Sequence, residues 1–342
     1  MSANEHLKNL AASSNGTECD DPKYFLSKEL YFYIPLVYGL PTIVLYVHII
    51  YVILRAKRYS TLRIAFYRLY AIMSIIITVM WIWDMTTTRF IAIGYFCHEL
   101  LDKYGHASYA LAPLQFVMTY SRHSQFYIAT VLSVNRMTAV MFPSRYEDIW
   151  ERNFLPIVAS VFILPIPTTW YLLPTQALLA RYPMGGLTLT YVKLLPNPWN
   201  SVTYLTMIVG SCCGIVIFAS SMTTYCKLSR FKRSMGQAMG KAEVNLMLVG
   251  MINSLSTLLL AAVEAPFYHL CNYLLDNYVF WVCTCIKQIF IDIIFVFSAW
   301  SMIFFCAGIR VAIRDLYVKQ PDDIPRSIVT VTPRKSTISV VA

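Results

Sequence analysis

The sequence predicts an all-α membrane protein, a seven-transmembrane helix bundle, and three observations carry that expectation. The first is composition: 57% of the 342 residues are hydrophobic, 13% are charged, and the mean hydropathy is +0.55. Soluble domains hold about 25% charged residues, so half that charge makes lipid the expected solvent. The second is that apolar residues gather in seven runs, each near the roughly 20 residues that cross a hydrocarbon core. The third is that Lys and Arg fall mostly into alternate connecting segments. A formal charge of +10 would by itself suggest nucleic acid, but basic residues in short loops between apolar runs follow the positive-inside rule instead.

Residues 1–30 are polar and are expected to form an extracellular tail, so the first run must itself begin insertion. The tail holds Asn15-Gly16-Thr17, the chain's only N-x-S/T sequon, which accepts a glycan if the tail lies outside. The transmembrane domain spans 31–318. Its runs are 31–54, 64–83, 107–142, 154–174, 199–225, 244–268 and 281–306. Tyr and Trp collect at the run ends, where interfacial belts form. Pro35, Pro41, Pro165, Pro167 and Pro266 sit within runs, which bundles tolerate when neighbours satisfy the freed carbonyls.

Eighteen Lys and Arg residues, from Arg55 through Arg136, Arg230, Lys232 and Arg233 to Lys335, lie on one side of this arrangement; seven, including Arg89, lie on the other. The richer side is cytosolic. The N-terminus is then outside and the C-terminus inside. After the seventh run, Arg310 and Arg314 fall one turn apart, with Ile309, Ile313, Leu316 and Tyr317 on another face. That pattern fits a short amphipathic helix on the inner leaflet, or a frayed end of the last span. Residues 319–342 are rich in Ser, Thr and Pro and are expected to be a disordered cytoplasmic tail.

Charges inside apolar runs cost roughly 2.5–3.5 kcal/mol each on insertion scales and mark functional candidates. At about 1.5 Å per residue, Arg122 in the third run and Asp292 in the seventh reach similar depths. Glu264 and Lys287 match each other closer to the outside. Two pairs follow: Arg122 with Asp292, and Glu264 with Lys287. They are either the wall of a cavity open to the outside or ionic glue between helices. An anionic ligand group would suit Arg122 or Lys287 if either cation is incompletely neutralised. His48 and Asn253 are expected to bond between helices, and Arg68 to snorkel toward headgroups.

Nine cysteines show no CxxC and no zinc-ligand spacing, so neither metal nor cofactor is expected. No H-E-x-x-H or G-x-S-x-G motif is present. Gly236 to Lys241 is one residue short of a phosphate-binding loop and follows no strand. No enzyme is expected. A transporter or channel using Arg122, Asp292, Glu264 and Lys287 is the alternative, although the odd number of runs and the missing internal repeat weigh against it.

The stretch Leu132-Ser133-Val134-Asn135-Arg136-Met137-Thr138-Ala139-Val140-Met141-Phe142-Pro143 resembles the S-x-N-R-x-T-x-V-x-F-P signature of nematode serpentine chemoreceptors of the gamma class (the Srg family). Ile34 to Pro41 in the first run and Phe66-Tyr67-Arg68-Leu69 in the second match the same class. The resemblance covers residues 31 to about 318. It implies a G protein-coupled receptor in the plasma membrane, with the sensory cilium one such location, that binds an extracellular small molecule of the odorant or pheromone class. The buried charges, rather than the resemblance, make Arg122, His123, Gln125, Glu264, Lys287, Gln288 and Asp292 the expected ligand contacts, with packing the alternative for His123. The resemblance implies G protein contacts at Asn135, Arg136, Arg230, Lys232 and Arg233. The chain departs from rhodopsin-like receptors: the seventh run has no N-P-x-x-Y, the sixth no C-W-x-P, and residues 175–198 hold no cysteine. One disulfide is expected among Cys19, Cys97 and Cys271, with the pair left open.

Overall fold

The computed structural model describes residues 28–55, 65–181, 186–191, 201–234, 251, 254–264, 277–306, 309–311 and 313–314. Within them the chain is helical, with one two-stranded hairpin. Helix α1 (Lys28–Arg55) is apolar on all sides and contains Pro35 and Pro41. Helix α2 (Ala65–Asp84) does not stop at residue 83, where its apolar run ends. It continues through one π turn, Met85–Arg89, into a last α turn, Phe90–Ile93. The threonines that read as a loop sustain the helix instead. Thr86 donates to the Ile82 and Trp83 carbonyls at 3.0 Å, and Thr87 to that of Trp83 at 2.7 Å. Gly94 then ends it with a φ of 84°, a left-handed cap that favours glycine.

Helix α3 (Cys97–Tyr104) is short and amphipathic. A 3-10 turn, Tyr109–Leu111, capped by the Ser108 hydroxyl, leads into α4 (Ala112–Met141). Helix α5 (Tyr146–Ile163) is extended past Pro165 by the turns Ile166–Thr169 and Trp170–Leu172. The expected loop 175–198 contains strands β1 (Ala177–Arg181) and β2 (Leu187–Tyr191), antiparallel with Ala177 opposite Tyr191 and Arg181 opposite Leu187. Ser108 and Ala177 exchange backbone bonds of 2.9 Å, so the hairpin is stitched to the start of α4. Leu179 and Leu187 bury against Cys97 and Leu111 beneath it. Helices α6 (Val202–Ser234), α7 (Ser254–Glu264) and α8 (Asn277–Phe305) complete the described fold.

Among the described residues, five helical stretches are long and apolar enough to cross a membrane: Leu30–Arg55, Ala65–Ile93, Tyr146–Leu172, Val202–Phe231 and Val282–Phe305. Helix α4 is equally long but carries a buried polar stretch, Ser121, Arg122, His123, Ser124 and Gln125, that lowers its hydropathy. It packs chiefly on α6 and α2, which explains how that stretch stays dry. Helix α7 is the described part of the sixth run; Asn253 lies outside the described residues.

The largest apolar core joins α1, α2, α4 and α8. Trp81 stacks on Phe295 at 4.8 Å and 9°. A side chain at Gly39 would run into that indole, whose nearest carbon lies 2.1 Å from an ideal Cβ, so glycine lets α1 and α2 meet there. Tyr46 and Tyr70 donate to the Phe295 and Ser298 carbonyls of α8 at 2.8 and 2.7 Å. Each phenol thereby satisfies its own buried hydroxyl and fixes helix rotation. His48 bonds the Val44 carbonyl of its own helix at 2.7 Å. Arg68 pairs with Glu151 and lies 4.4 Å over the Phe154 ring.

Candidate functional site

Six ionisable side chains meet in the half of the bundle that carries the hairpin. Asp84, Arg89, Arg122 and Glu264 are at most 2% exposed, and Lys287 and Asp292 are nearly as buried. They form two adjoining clusters because Lys287 and Gln288 are consecutive on α8.

The first cluster is centred on Arg89. Its Nε donates to Asp84 Oδ2 at 3.0 Å, and its Nη2 to Asp292 Oδ1 at 2.7 Å and Gln288 Oε1 at 3.1 Å. Gln288 Nε2 returns a bond to Asp84 Oδ1 at 3.2 Å, and the Tyr38 hydroxyl donates to Asp292 Oδ2 at 2.5 Å. The guanidinium also lies 5.6 Å over the Tyr31 ring. The second cluster is centred on Glu264. Lys287 Nζ approaches its Oε1 at 2.5 Å, and Arg122 Nη1 stands 3.7 Å from the same oxygen.

The expected pairing of Arg122 with Asp292 is therefore replaced. Asp292 is paired with Arg89, and Arg122 faces Glu264. Matching depth places two charges at one height but leaves their direction around the helix open. Arg89 also escaped the expectation, having been grouped with the outer loop cations beyond the apparent end of the second run. Glu264 and Lys287 do pair. Among the described residues the two clusters hold three carboxylates and three cations, a balanced set.

His123 ties three helices together. Its Nδ1 lies 2.8 Å from Thr168 Oγ1 on the α5 extension, and its Nε2 3.1 Å from Thr206 Oγ1 on α6. Gln125 is buried on the same helix. Arg122 Nε, Ser124 Oγ and Glu264 Oε2 are among the atoms of this half buried without a hydrogen-bond partner among the described residues. Unmade bonds of this kind cost about 1–3 kcal/mol each, and a polar ligand would complete them. The threonines and Ser124 carry no distinctive spacing, so sequence reasoning had no signal for them.

At the opposite end, Asn135 and Arg136 lie on the last turns of α4. Tyr146 donates to Asn135 Oδ1 at 3.2 Å, and Trp150 Nε1 to Thr138 Oγ1 at 2.7 Å, so the start of α5 straps this turn. The Arg136 guanidinium lies 4.8 Å over the Phe66 ring and borders a cavity of about 60 Å³. Arg230 and Arg233 are exposed on α6; the Lys232 side chain lies outside the described residues. Ile309 is buried while Arg310 and Arg314 are exposed, an amphipathic division. Arg310 also turns back to bond the Ile303 carbonyl at 3.0 Å and that of Phe304, satisfying the end of α8. Cys97 is disulfide-bonded, and Asn15, Cys19 and Cys271 lie outside the described residues. Among the described residues no His, Cys, Asp or Glu group is arranged to hold a metal ion.

Comparison with known proteins finds a match to the family model for Srg family chemoreceptors over residues 32–313. Two similar curated proteins are from Caenorhabditis elegans. Serpentine receptor class gamma-9 is 24% identical over 314 residues, 91% of this chain and 90% of that protein. Serpentine receptor class gamma-8 is 24% identical over 258 residues, 75% of this chain and 78% of the relative. Serpentine receptor class gamma-13, from the same organism, is 32% identical over 157 residues, 45% of each chain.

Proposed function

The chain belongs to the Srg family of chemoreceptors, and from that premise we propose a seven-span plasma-membrane receptor that binds an extracellular small molecule and signals through a heterotrimeric G protein. In this reading the tail of residues 1–30 is outside and glycosylated at Asn15, and residues 319–342 are cytoplasmic. The ligand occupies the hairpin-side half, against Arg122, His123, Gln125, Glu264, Lys287, Gln288 and Asp292. The G protein meets Asn135, Arg136, Arg230, Lys232 and Arg233.

The observation that supports this reading most is the ionic network itself, with Arg122 Nε, Ser124 Oγ and Glu264 Oε2 left unbonded beside it. Balanced charge also argues for a type of ligand. A singly charged molecule would bring an uncompensated ion into a low-dielectric site. A neutral ligand with hydroxyl or amide groups, or a zwitterion, would not. The anionic group suggested by Arg122 and Lys287 alone is thus disfavoured once Arg89 and Asp84 are counted. Arg122 and Glu264 lie on α4 and α7, and at 3.7 Å their contact is longer than a hydrogen bond. A ligand that bridges them better in one arrangement of the bundle shifts the population toward it.

The test is expression in a heterologous cell with a G protein readout and a panel of neutral, anionic and zwitterionic small molecules. Arg122→Met should lower ligand potency, and Arg136→Ala should abolish signalling while ligand binding persists. A response that survives Arg136→Ala unchanged would remove the coupling role, and a panel response confined to anions would remove the proposed ligand class.

A further inference from the structure

One buried hydroxyl of the hairpin-side half lies outside the ionic network. Tyr171, on the extension of α5, is 7% exposed, and its hydroxyl is buried without a hydrogen-bond partner among the described residues. Its neighbours are apolar or already engaged. Tyr171 packs with Leu172 and with Val202 and Leu205 of α6, against Phe116 of α4 and Tyr191 of β2. The Tyr191 hydroxyl accepts from the Val202 backbone N–H at 2.9 Å, which fastens the hairpin over the start of α6. A phenol buried in this way carries the cost of an unmade bond. Phenylalanine would fill the same space without it.

The position is in line with the chamber. Three residues before Tyr171, Thr168 meets His123, and His123 also meets Thr206 of α6. Phe116 precedes His123 by two turns on one face of α4, and Val202 precedes Thr206 by one turn of α6. Tyr171, packed on Phe116 and Val202, therefore stands roughly 6–10 Å from the His123 level, toward the hairpin. Arg122 and Ser124 flank His123 on α4 and carry unbonded polar atoms of their own. Polar atoms without partners thus occur at two levels of this half, and the side chains packed around the upper one are apolar or aromatic.

We propose that Tyr171 is a ligand contact, and that the ligand is an elongated neutral molecule. A polar head meets Arg122, Ser124 and Glu264, an apolar stem runs for roughly 6–10 Å, and a carbonyl or ether oxygen at the far end accepts the Tyr171 O–H. A phenol can donate or accept, but it is the stronger as a donor, so the matching ligand atom is an accepting oxygen. The inference rests on the chamber being the ligand site and narrows what that site takes.

The experiment uses the full-length protein in lipid nanodiscs and follows thermal unfolding. The probes are straight-chain alcohols from hexanol to decanol, each with and without a ketone one carbon from its far end. Without a probe, Tyr171→Phe should match wild type or unfold up to about 4 °C higher, because it loses a hydroxyl that bonds nothing. In wild type the ketone should lower the half-saturating concentration by about 3- to 10-fold at the chain lengths that fit. That gain should vanish in Tyr171→Phe, while the plain alcohols bind both proteins alike. A clear fall in midpoint for unliganded Tyr171→Phe would overturn the proposal, since the hydroxyl would already be in use. So would a ketone gain that survives the substitution, or a wild type that does not distinguish the two series. Arg122→Met separates this contact from the chamber reading. Probes that ignore Arg122→Met but keep the Tyr171-dependent gain would displace the polar head and leave the Tyr171 contact standing. Probes that shift neither wild type nor variant would remove the chamber reading and the contact with it.

Discussion

The two ends of the bundle handle charge in opposite ways. At the hairpin end, six ions on α2, α4, α7 and α8 neutralise one another through contacts of 2.5–3.7 Å. At the other end a single, partly exposed arginine, Arg136, lies against the Phe66 ring beside a hydroxyl-lined space, with no described acid beside it. Removing one member of a closed ionic set leaves its partners stranded. Removing a solitary ion strands nothing. The same kind of substitution should therefore have opposite consequences at the two ends.

The largest expected effect follows from that contrast. Arg89→Met leaves Asp84 and Asp292 facing each other without their shared cation, and should destabilise by about 3–5 kcal/mol, read as a fall in unfolding midpoint and in cell-surface yield. Arg136→Gln should cost less or stabilise. Equal losses for the two would erase the contrast. Next comes the coupling between pairs. Arg122→Met and Glu264→Gln should be non-additive by about 0.5–3 kcal/mol in a double-mutant cycle, whereas Arg122→Met and Asp292→Asn should couple far more weakly. The reverse result would restore the pairing suggested by depth alone. A purely steric change calibrates both: Gly39→Val meets the Trp81 indole and should cost about 1–3 kcal/mol. The smallest effect belongs to Arg68→Ala, whose ion pair with Glu151 is 38% and 58% exposed and should contribute under about 1 kcal/mol.

Sequence reasoning reached the helical membrane class through composition and apolar runs, and the Glu264–Lys287 contact through depth. Both signals are one-dimensional: a run has a length, and a charge has a height. Angular position around a helix is set by packing, which is why Arg122 and Asp292 looked like partners. Arg89 was hidden for a different reason. The segment Thr86-Thr87-Thr88 is too polar to look lipid-embedded, but inside a bundle threonine hydroxyls bond their own helix and lose little. The hairpin had a signal in Leu187-Thr188-Leu189-Thr190, an alternation of period two, too brief to stand out in a chain dominated by helices. Asn135 and Arg136 were legible as a local motif, whereas the hydroxyl-lined space beside Arg136 is assembled from four helices and leaves no trace in any one of them.

The π turn in α2 has a consequence for how this half of the protein tolerates change. In a regular α-helix, residues five apart point about 140° away from each other, so Asp84 and Arg89 would diverge. The wider turn re-phases the backbone and brings both to one side, where Arg89 reaches α8. Deleting any one residue between Met85 and Thr88 would restore ordinary winding with Arg89 four positions after Asp84, about 40° around the helix, so the two would still share a face. A single-codon loss in this short window is thus a smaller event than one earlier in α2, which would turn Asp84 and Arg89 together by about 100° away from α8.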